Sequence, residues 1–273
     1  MSPHDSLAAS GPAVEISALT HAGTERARNE DHCAALIDAQ GTALGIVADG
    51  VSGQNAAEQA SRLAVEAALR SYAEQPWRTA AGKRLYRAAQ SANIAVHDLA
   101  LTVPELRGMA TTFTAVAVAG GELAAVHVGD TRLYLVHDGR IRQLTKDHTV
   151  AAERHRLGLV RRDKLRTHPQ RSTLTRSLGR ELIAAVDRIT APVVAGDVVL
   201  VCSDGLYNVL EDDEIVPLVT TSAERACRAL IDTANARGTP DNLTVAVVRV
   251  VRSVEHAARR PSLFELLRRV RGG

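Results

Sequence analysis

Five aspartates stand where we expect an apolar strand to end in a turn, so each can present a carboxylate held by rigid backbone. They are Asp31 in RARNED, Asp49 in IVADGVSG, Asp130 in VHVGDTR, Asp204 in VLVCSDG and Asp241 in GTPDN. Brought together in space, such strand ends would form an oxygen-ligand site for a divalent cation. Aspartate at a turn is also common chain-reversal chemistry that needs no ligand. For any single aspartate, a structural role in a turn is the better explanation. For all five together, a metal site is the better explanation.

The pattern of apolar residues predicts the elements that would position these aspartates. Strands are expected at 13–19, 34–37, 43–48, 182–190, 197–202 and 242–251, and helices at 55–73, 82–101, 211–219 and 222–237. Residues 111–145 contain β-rich runs separated by Gly-Gly, Gly-Asp and Asp-Gly turns, which predicts an antiparallel meander. The mixture indicates an α+β domain whose helices cover antiparallel sheets, and not a repeated βαβ unit.

The composition is that of an ordinary globular protein. The chain has 273 residues, of which 45% are hydrophobic and only seven are aromatic, namely two Phe, one Trp and four Tyr. The core must therefore consist of Ala, Val, Leu and Ile, and a base-stacking surface for single-stranded nucleic acid is not expected. We expect one domain over 13–252, with a flexible segment at 1–12 and a basic tail at 253–273.

The cysteines and the apolar runs indicate the compartment. Cys33, Cys202 and Cys227 are far apart, which fits neither a disulfide framework nor a zinc cluster. The first residues lack a basic start followed by an apolar run, and no apolar stretch approaches the roughly 18 residues that a bilayer crossing needs. We therefore expect a cytoplasmic protein without a transmembrane segment.

Positive charge is concentrated in two segments. Residues 150–180 contain nine Lys or Arg and two acidic residues, and residues 249–273 contain seven Arg and two acidic residues. The rest of the chain is acidic, which argues against a specific nucleic-acid partner. The first segment either steers acidic or phosphorylated proteins or is simply a solvated face. The tail, with Leu263, Leu266 and Val270 on one helical stripe, suits peripheral contact with anionic lipid, a partner or its own domain.

Eight motifs, taken in order, resemble those of the metal-dependent serine/threonine protein phosphatases of type 2C, the PPM family, in its bacterial form. They are RARNED at 26–31, DGVSG at 49–53, GMATT at 108–112, GDTR at 129–132, LTKDH at 144–148, LTRSLG at 174–179, SDGL at 203–206 and DNLT at 241–244. The resemblance covers about 15–250. It implies a four-layer α-β-β-α sandwich of two antiparallel sheets flanked by helices, with 150–180 as a flap-like insertion beside the metal centre.

The resemblance also implies a centre of two manganese or magnesium ions at one end of the sandwich. In the family's pattern, Asp49 would bridge both ions. Asp204 and Asp241 would hold the first ion, and the backbone carbonyl of Gly50 the second. Asp31 would act mostly through bound water near the second ion.

Further roles follow from the same resemblance. Asp130 together with Asp204 would hold a weaker third ion, and Arg26 would grip the phosphate of the substrate. Glu30 is the neighbour of Asp31. Asn242 stands beside a proposed ligand and would orient it by a hydrogen bond, although a structural role in a turn explains an asparagine there as well. Either explanation also fits the threonines of GMATT, which suit a strand start or a ligand-positioning role.

The chemistry of such a site is coherent. Hard carboxylate oxygens select magnesium or manganese over zinc. Two ions roughly 3.5 to 4 Å apart lower the pKa of a shared water far below its bulk value of about 15.7, which yields a metal-bridging hydroxide. This hydroxide attacks phosphorus directly while the arginine fork stabilises the phosphate oxygens. We therefore expect a monomeric phosphatase acting on phosphoserine and phosphothreonine in proteins. The alternative is a catalytically weak relative that binds phosphoproteins as a regulatory module.

One position departs from the family's pattern. Many members carry a histidine after Asp-Gly that is proposed to protonate the leaving group, and here Val51 stands at that position. The general acid is therefore unassigned. A metal-bound water or His148 would be the substitute, although a structural role for His148 is the better explanation.

Overall fold

The computed structural model describes residues 14–51 and 55–252, apart from the side chain of residue 55. The expected flexible segment at 1–12 and the basic tail at 253–273 lie outside the described residues.

Eleven strands and six helices make up the described chain. The strands are β1 Val14–His21, β2 Asp31–Ile37, β3 Ala43–Val51, β4 Ala110–Thr111, β5 Phe113–Ala119, β6 Glu122–Val128, β7 Arg132–His137, β8 Arg140–Gln143, β9 Asp187–Pro192, β10 Val198–Cys202 and β11 Leu243–Val250. The helices are α1 Asn55–Glu74, α2 Ala81–Thr102, α3 Val150–Arg156, α4 Asp204–Tyr207, α5 Asp212–Leu218 and α6 Ala223–Ala236, and two 3₁₀ turns lie at Pro104–Leu106 and Arg162–Lys164.

The strands form two antiparallel sheets that pack face to face. One sheet has the order β1-β11-β10-β7-β8, and the other has the order β2-β3-β5-β6-β9 with the short β4 paired to β3. Helices α1 and α2 cover the outer face of the second sheet, and α4, α5 and α6 cover the outer face of the first. The expected α-β-β-α sandwich is confirmed.

Three apolar layers hold the sandwich together. Val47, Val116, Val199 and Val248 are among the residues buried between the sheets, and two further clusters lie between each sheet and its helices. Because both faces of each sheet are covered, a central strand such as β10, with the sequence VVLVC, is buried at every residue. None of the helices in the described part of the chain combines the length and apolar character needed to span a bilayer.

The meander predicted for 111–145 is wrong at one connection. Strands β5 and β6 pair, and so do β7 and β8, but β7 pairs with β10 in the opposite sheet and not with β6. The Gly129-Asp130 turn therefore carries the chain from one sheet to the other. Gly129 permits this because its φ is +108° and a Cβ there would lie 2.6 Å from the Thr112 side chain.

The strand predicted at 182–190 begins later, at Asp187, and ends at Pro192. The residues before it lie against α2 instead of pairing in a sheet. There the buried Asn93 side chain donates hydrogen bonds to the carbonyls of Glu181 and Leu182. A side-chain amide thus satisfies backbone groups that a neighbouring strand would otherwise satisfy.

Candidate metal centre

The structure brings the five aspartates to one end of the sandwich. Asp31 lies directly opposite Asp49 in the β2–β3 pair. Asp130 follows β6 and Asp204 follows β10, as expected, whereas Asp31 starts β2 and Asp241 precedes β11. The expectation that all five follow a strand is therefore wrong for two of them. Antiparallel neighbours place the start of one strand beside the end of the next, so both kinds of position reach the same edge.

Like charges are forced together at this edge. Burial, and then the nearby carboxylates of Asp31, Asp204, Asp130 and Asp241, raise the pKa of Asp49 well above its usual range. Burial raises the pKa of Asp31 to about 6 and that of Asp204 to about 7, and repulsion from Asp241 contributes to both. Such a cluster is stable only when it binds protons or when a cation compensates its charge.

Asp31 gives the sharpest indication that a cation belongs here. It is 4% exposed, and neither of its carboxylate oxygens has a hydrogen-bond partner within the described residues. The hydroxyls of Thr244 and Ser203 lie close enough to lower its pKa in part. Thr244 Oγ1 pairs with Thr20 Oγ1 at 2.7 Å, and Ser203 Oγ accepts from the Thr244 amide and donates to the carbonyl of Asn242 at 3.5 Å.

The donor set fits hard divalent ions. All five of these side chains are carboxylates, and hard carboxylate oxygens suit magnesium or manganese. Among the described residues, no group of three or more Asp, Glu, His or Cys side chains is arranged so that it could hold a metal ion by itself. Backbone oxygens and water would therefore complete the coordination, as the family's pattern implies for the carbonyl of Gly50.

Threonines of the GMATT motif fix the backbone of Asp49. The amide of Asp49 donates to Thr112 Oγ1 at 2.9 Å, and Thr111 Oγ1 donates to the carbonyl of Asp49 at 2.8 Å. The next residue, Gly50, donates to the carbonyl of Glu30, and a Cβ on Gly50 would collide with the carbonyl of Ala57. The two threonines therefore hold a proposed ligand in place in addition to starting a strand.

Asn242 clamps the loop that precedes Asp31. Its Oδ1 accepts from the Glu30 amide at 2.8 Å, and its Nδ2 donates to the carbonyls of Ala22 and Arg28 at 2.9 and 2.8 Å. Burial raises the pKa of Glu30, and Arg26 offsets part of the rise. The Asn242 side chain therefore acts on the backbone of residues 22–30, while the Asn242 amide donates directly to Asp241 Oδ1 at 2.9 Å.

Asn242→Ala is expected to lower the free energy of unfolding by about 2–4 kcal/mol, because three backbone groups lose their partner. The midpoint of thermal unfolding should fall by about 5–12 °C. Asn29→Ala is the matched control, since Asn29 makes two hydrogen bonds in a more exposed position, to Thr20 and to the Asp31 amide. A shift for Asn242→Ala no larger than that for Asn29→Ala would contradict the clamp.

Arg26 lies at the rim of the cluster. Its Nη2 is 3.0 Å from Asp241 Oδ2, and its side chain is 52% exposed. Asp241 raises the pKa of the Arg26 guanidinium, and Glu30 and Asp204 contribute more weakly to this rise. The arginine is therefore close to the proposed ligands and remains open to solvent on its other side.

Asp130 and Asp204 are neighbours, as the family's pattern for a third ion requires. Burial, and then repulsion from Asp204, raises the pKa of Asp130 well above its usual range. Tyr207, on the same short helix as Asp204, donates its hydroxyl to the carbonyl of Asp130 at 3.1 Å. Sequence reasoning missed this tyrosine, because nothing in the motif SDGL marks the residue after it.

The structure favours a structural role for His148. The Gly129 amide donates to His148 Nδ1 at 3.1 Å, and Nε2 lies 3.2 Å from Asp187 Oδ2. Both ring nitrogens are engaged, and burial lowers the pKa of the imidazole. Val51 at the end of β3 brings no titratable group to the position of the family's histidine.

Comparison with known proteins agrees with this picture. Residues 20–245 match the family model described as Protein phosphatase 2C. The serine/threonine protein phosphatase PstP of Mycobacterium tuberculosis is 37% identical over 244 residues, which cover 87% of this chain and 45% of that protein. The serine/threonine phosphatase stp of Listeria monocytogenes is 33% identical over 235 residues, which cover 84% of this chain and 93% of that protein.

Solved structures share the fold. The catalytic domain of PstP, in complex with two manganese ions, is similar with a TM-score of 0.76 at 32% identity, covering 87% of this chain and 98% of that structure. The two manganese ions of that relative support a divalent-metal site here. The fold and the edge where the five aspartates meet are together those of a protein phosphatase. The chain belongs to the protein phosphatase 2C family, whose model covers most of its length.

Proposed function

We propose that the chain hydrolyses phosphoserine and phosphothreonine in proteins in a reaction that depends on divalent metal ions. The observation that carries this proposal is the buried, unpartnered carboxylate of Asp31 within a cluster of four further aspartates. The relatives PstP and stp, which are named serine/threonine phosphatases, support the substrate class.

The residues that would hold two manganese or magnesium ions are those of the family's pattern. Asp49 would be shared, Asp204 and Asp241 would complete one ion, and the Gly50 carbonyl would contact the other. Asp31 would bind through water, and Asp130 with Asp204 would suit a weaker third ion. Bound there, the ions would supply a hydroxide for attack on phosphorus and would neutralise charge on the phosphate oxygens.

The remaining steps fall to groups of the chain itself. Arg26 would turn its fork from Asp241 toward two oxygens of the substrate phosphate. Neither Val51 nor His148 is placed to protonate the leaving serine or threonine oxygen, so this proton would come from water. We further propose that residues 13–252 act as one cytoplasmic, monomeric domain.

The test is hydrolysis of p-nitrophenyl phosphate and of a phosphothreonine peptide with and without manganese. Turnover that requires manganese supports the proposal. A folded protein that binds the phosphopeptide without turnover would support the alternative, a regulatory phosphoprotein-binding module.

Arg26→Ala is expected to lower kcat/KM for p-nitrophenyl phosphate about 10- to 100-fold, because a charge-assisted pair of hydrogen bonds to the phosphate is lost. Arg26→Lys should recover only part of this, since an ammonium cannot contact two oxygens as a fork. Arg28→Ala, an exposed arginine two residues away, is the control and should stay within about twofold of the unaltered protein. Equal losses for Arg26→Ala and Arg28→Ala would indicate general charge and not a phosphate contact.

A further inference from the structure

The flap segment, residues 150–180, is anchored to the body at its C-terminal end. The amide of Thr175 donates to the carbonyl of His148 at 2.8 Å. Leu178 and Thr111 exchange two backbone hydrogen bonds, at 2.8 and 3.2 Å. This end of the segment is therefore part of the framework beside β4.

The middle of the segment, residues 157–172, is held quite differently. Its backbone hydrogen bonds and the Arg161–Asp163 ion pair stay within the flap segment. Among the described residues, the side chain of Arg166 makes the hydrogen bonds that connect this stretch to the body of the domain. Loss of this one side chain would therefore remove the described hydrogen bonds between the middle of the flap segment and the body.

Arg166 contacts the end of the helix that begins with Asp204. Its Nη2 donates to the carbonyls of Tyr207 and Leu210 at 2.7 and 3.2 Å, and its Nη1 pairs with the carboxylate of Glu211. Carbonyls at a helix C-terminus lack intrahelical partners, and a guanidinium can serve several acceptors at once. The flap segment is therefore fastened to the same short helix, α4, that carries a proposed metal ligand.

A cavity lies between the two parts that Arg166 joins. Its walls include Leu165, Arg166 and Arg171 of the flap segment and Asp204, Tyr207 and Asn208 of the body. Asp204, a proposed metal ligand, is part of this wall, so the cavity adjoins the candidate metal centre. Half of its wall depends on where the flap segment sits.

We propose that Arg166 is a specificity-determining latch. It fastens the flap segment to α4 and so shapes the cavity that receives the residues flanking a phosphoserine or phosphothreonine in a peptide substrate. The proposal rests on the proposed function. A small ester such as p-nitrophenyl phosphate has no flanking residues, so its turnover does not depend on the latch.

The kinetic test compares Arg166→Ala with Arg161→Ala, which removes the same charge from the same stretch but leaves the latch intact. Arg166→Ala should raise KM for a phosphothreonine peptide about 5- to 20-fold with kcat nearly unchanged, as loss of a few charge-assisted hydrogen bonds allows. Its kcat/KM for p-nitrophenyl phosphate, and both parameters of Arg161→Ala, should stay within about twofold. Arg166→Lys should recover part of the peptide KM. Equal losses on both substrates, or an unchanged peptide KM, would overturn the proposal.

A second measurement does not depend on turnover. Amide hydrogen exchange of residues 157–172 should become at least about tenfold faster in Arg166→Ala and remain unchanged in Arg161→Ala, because the described hydrogen bonds between this stretch and the body are lost. Unchanged exchange in Arg166→Ala would overturn the latch. If the unaltered protein hydrolyses neither substrate with manganese, the proposed function fails, and the exchange rates together with phosphopeptide affinity still decide on the latch.

Discussion

Asp204→Asn is expected to lower manganese-dependent kcat/KM for p-nitrophenyl phosphate at least about 1000-fold, and Asp49→Asn to do the same. Both side chains lie half-buried at the edge where the five aspartates meet, and an amide removes the negative charge that a divalent ion requires. The same substitution has the opposite effect on the metal-free fold. Because one buried like charge disappears, the midpoint of unfolding in chelator should rise and not fall.

The control for this pair of effects is Asp232→Asn, an exposed aspartate on α6. It should leave both the rate and the unfolding midpoint nearly unchanged. Asp204→Asn with more than about a tenth of the original activity would contradict a ligand role. A variant that is both inactive and less stable in chelator would mean that Asp204 supports the fold instead of the metal.

The second large effect is on the pH dependence of stability. In chelator, the unfolding midpoint should fall by about 5–15 °C between pH 5 and pH 8. The pKa values of Asp31 and Asp204 are raised to about 6 and about 7 in the folded protein. Over this range the folded state holds more protons than the unfolded state, so the free energy of unfolding decreases as pH rises.

Manganese should reverse this trend. At 100 times its dissociation constant, an ion that binds only the folded state adds about 2.7 kcal/mol, which corresponds to about 5–10 °C. The gain should be largest near pH 8, since protons compete for the same carboxylates at pH 5. Differential scanning fluorimetry with and without manganese gives both curves. A midpoint in chelator that rises with pH, or an equal manganese shift in Asp204→Asn, would contradict this explanation.

The layers of the fold and the hairpins β5–β6 and β7–β8 could be predicted from the sequence, but the partners of β6 and β7 beyond those hairpins could not. Strands β6 and β7 are both apolar and are separated by a Gly-Asp turn, just as a hairpin would be, yet they belong to opposite sheets. The turn residues and the alternation of apolar and polar residues would be the same whether β6 and β7 formed a hairpin or belonged to different sheets. Gly129 lies opposite Thr112 at the end of the β5–β6 pair, and its φ of +108° directs the chain out of that sheet, which the residue type alone does not reveal.

The aspartates of the candidate site could be found from the sequence because each stands in a short motif beside an apolar run. Their supports were harder to predict. The Asn242 side chain binds three backbone groups that lie more than 200 positions away along the chain. Because every residue has such backbone groups, the sequence does not show which of them a side chain will bind. Arg166 is one of nine basic residues in 150–180, and only the fold shows that it reaches α4.

The most direct test of the metal centre is anomalous diffraction at the manganese edge from crystals grown with manganese. We predict two anomalous peaks at the aspartate-rich edge, both in contact with the carboxylate of Asp49, one of them also in contact with Asp204 and Asp241. Crystals soaked in manganese that show no peak there, or only peaks that Asp49 does not touch, would contradict the account.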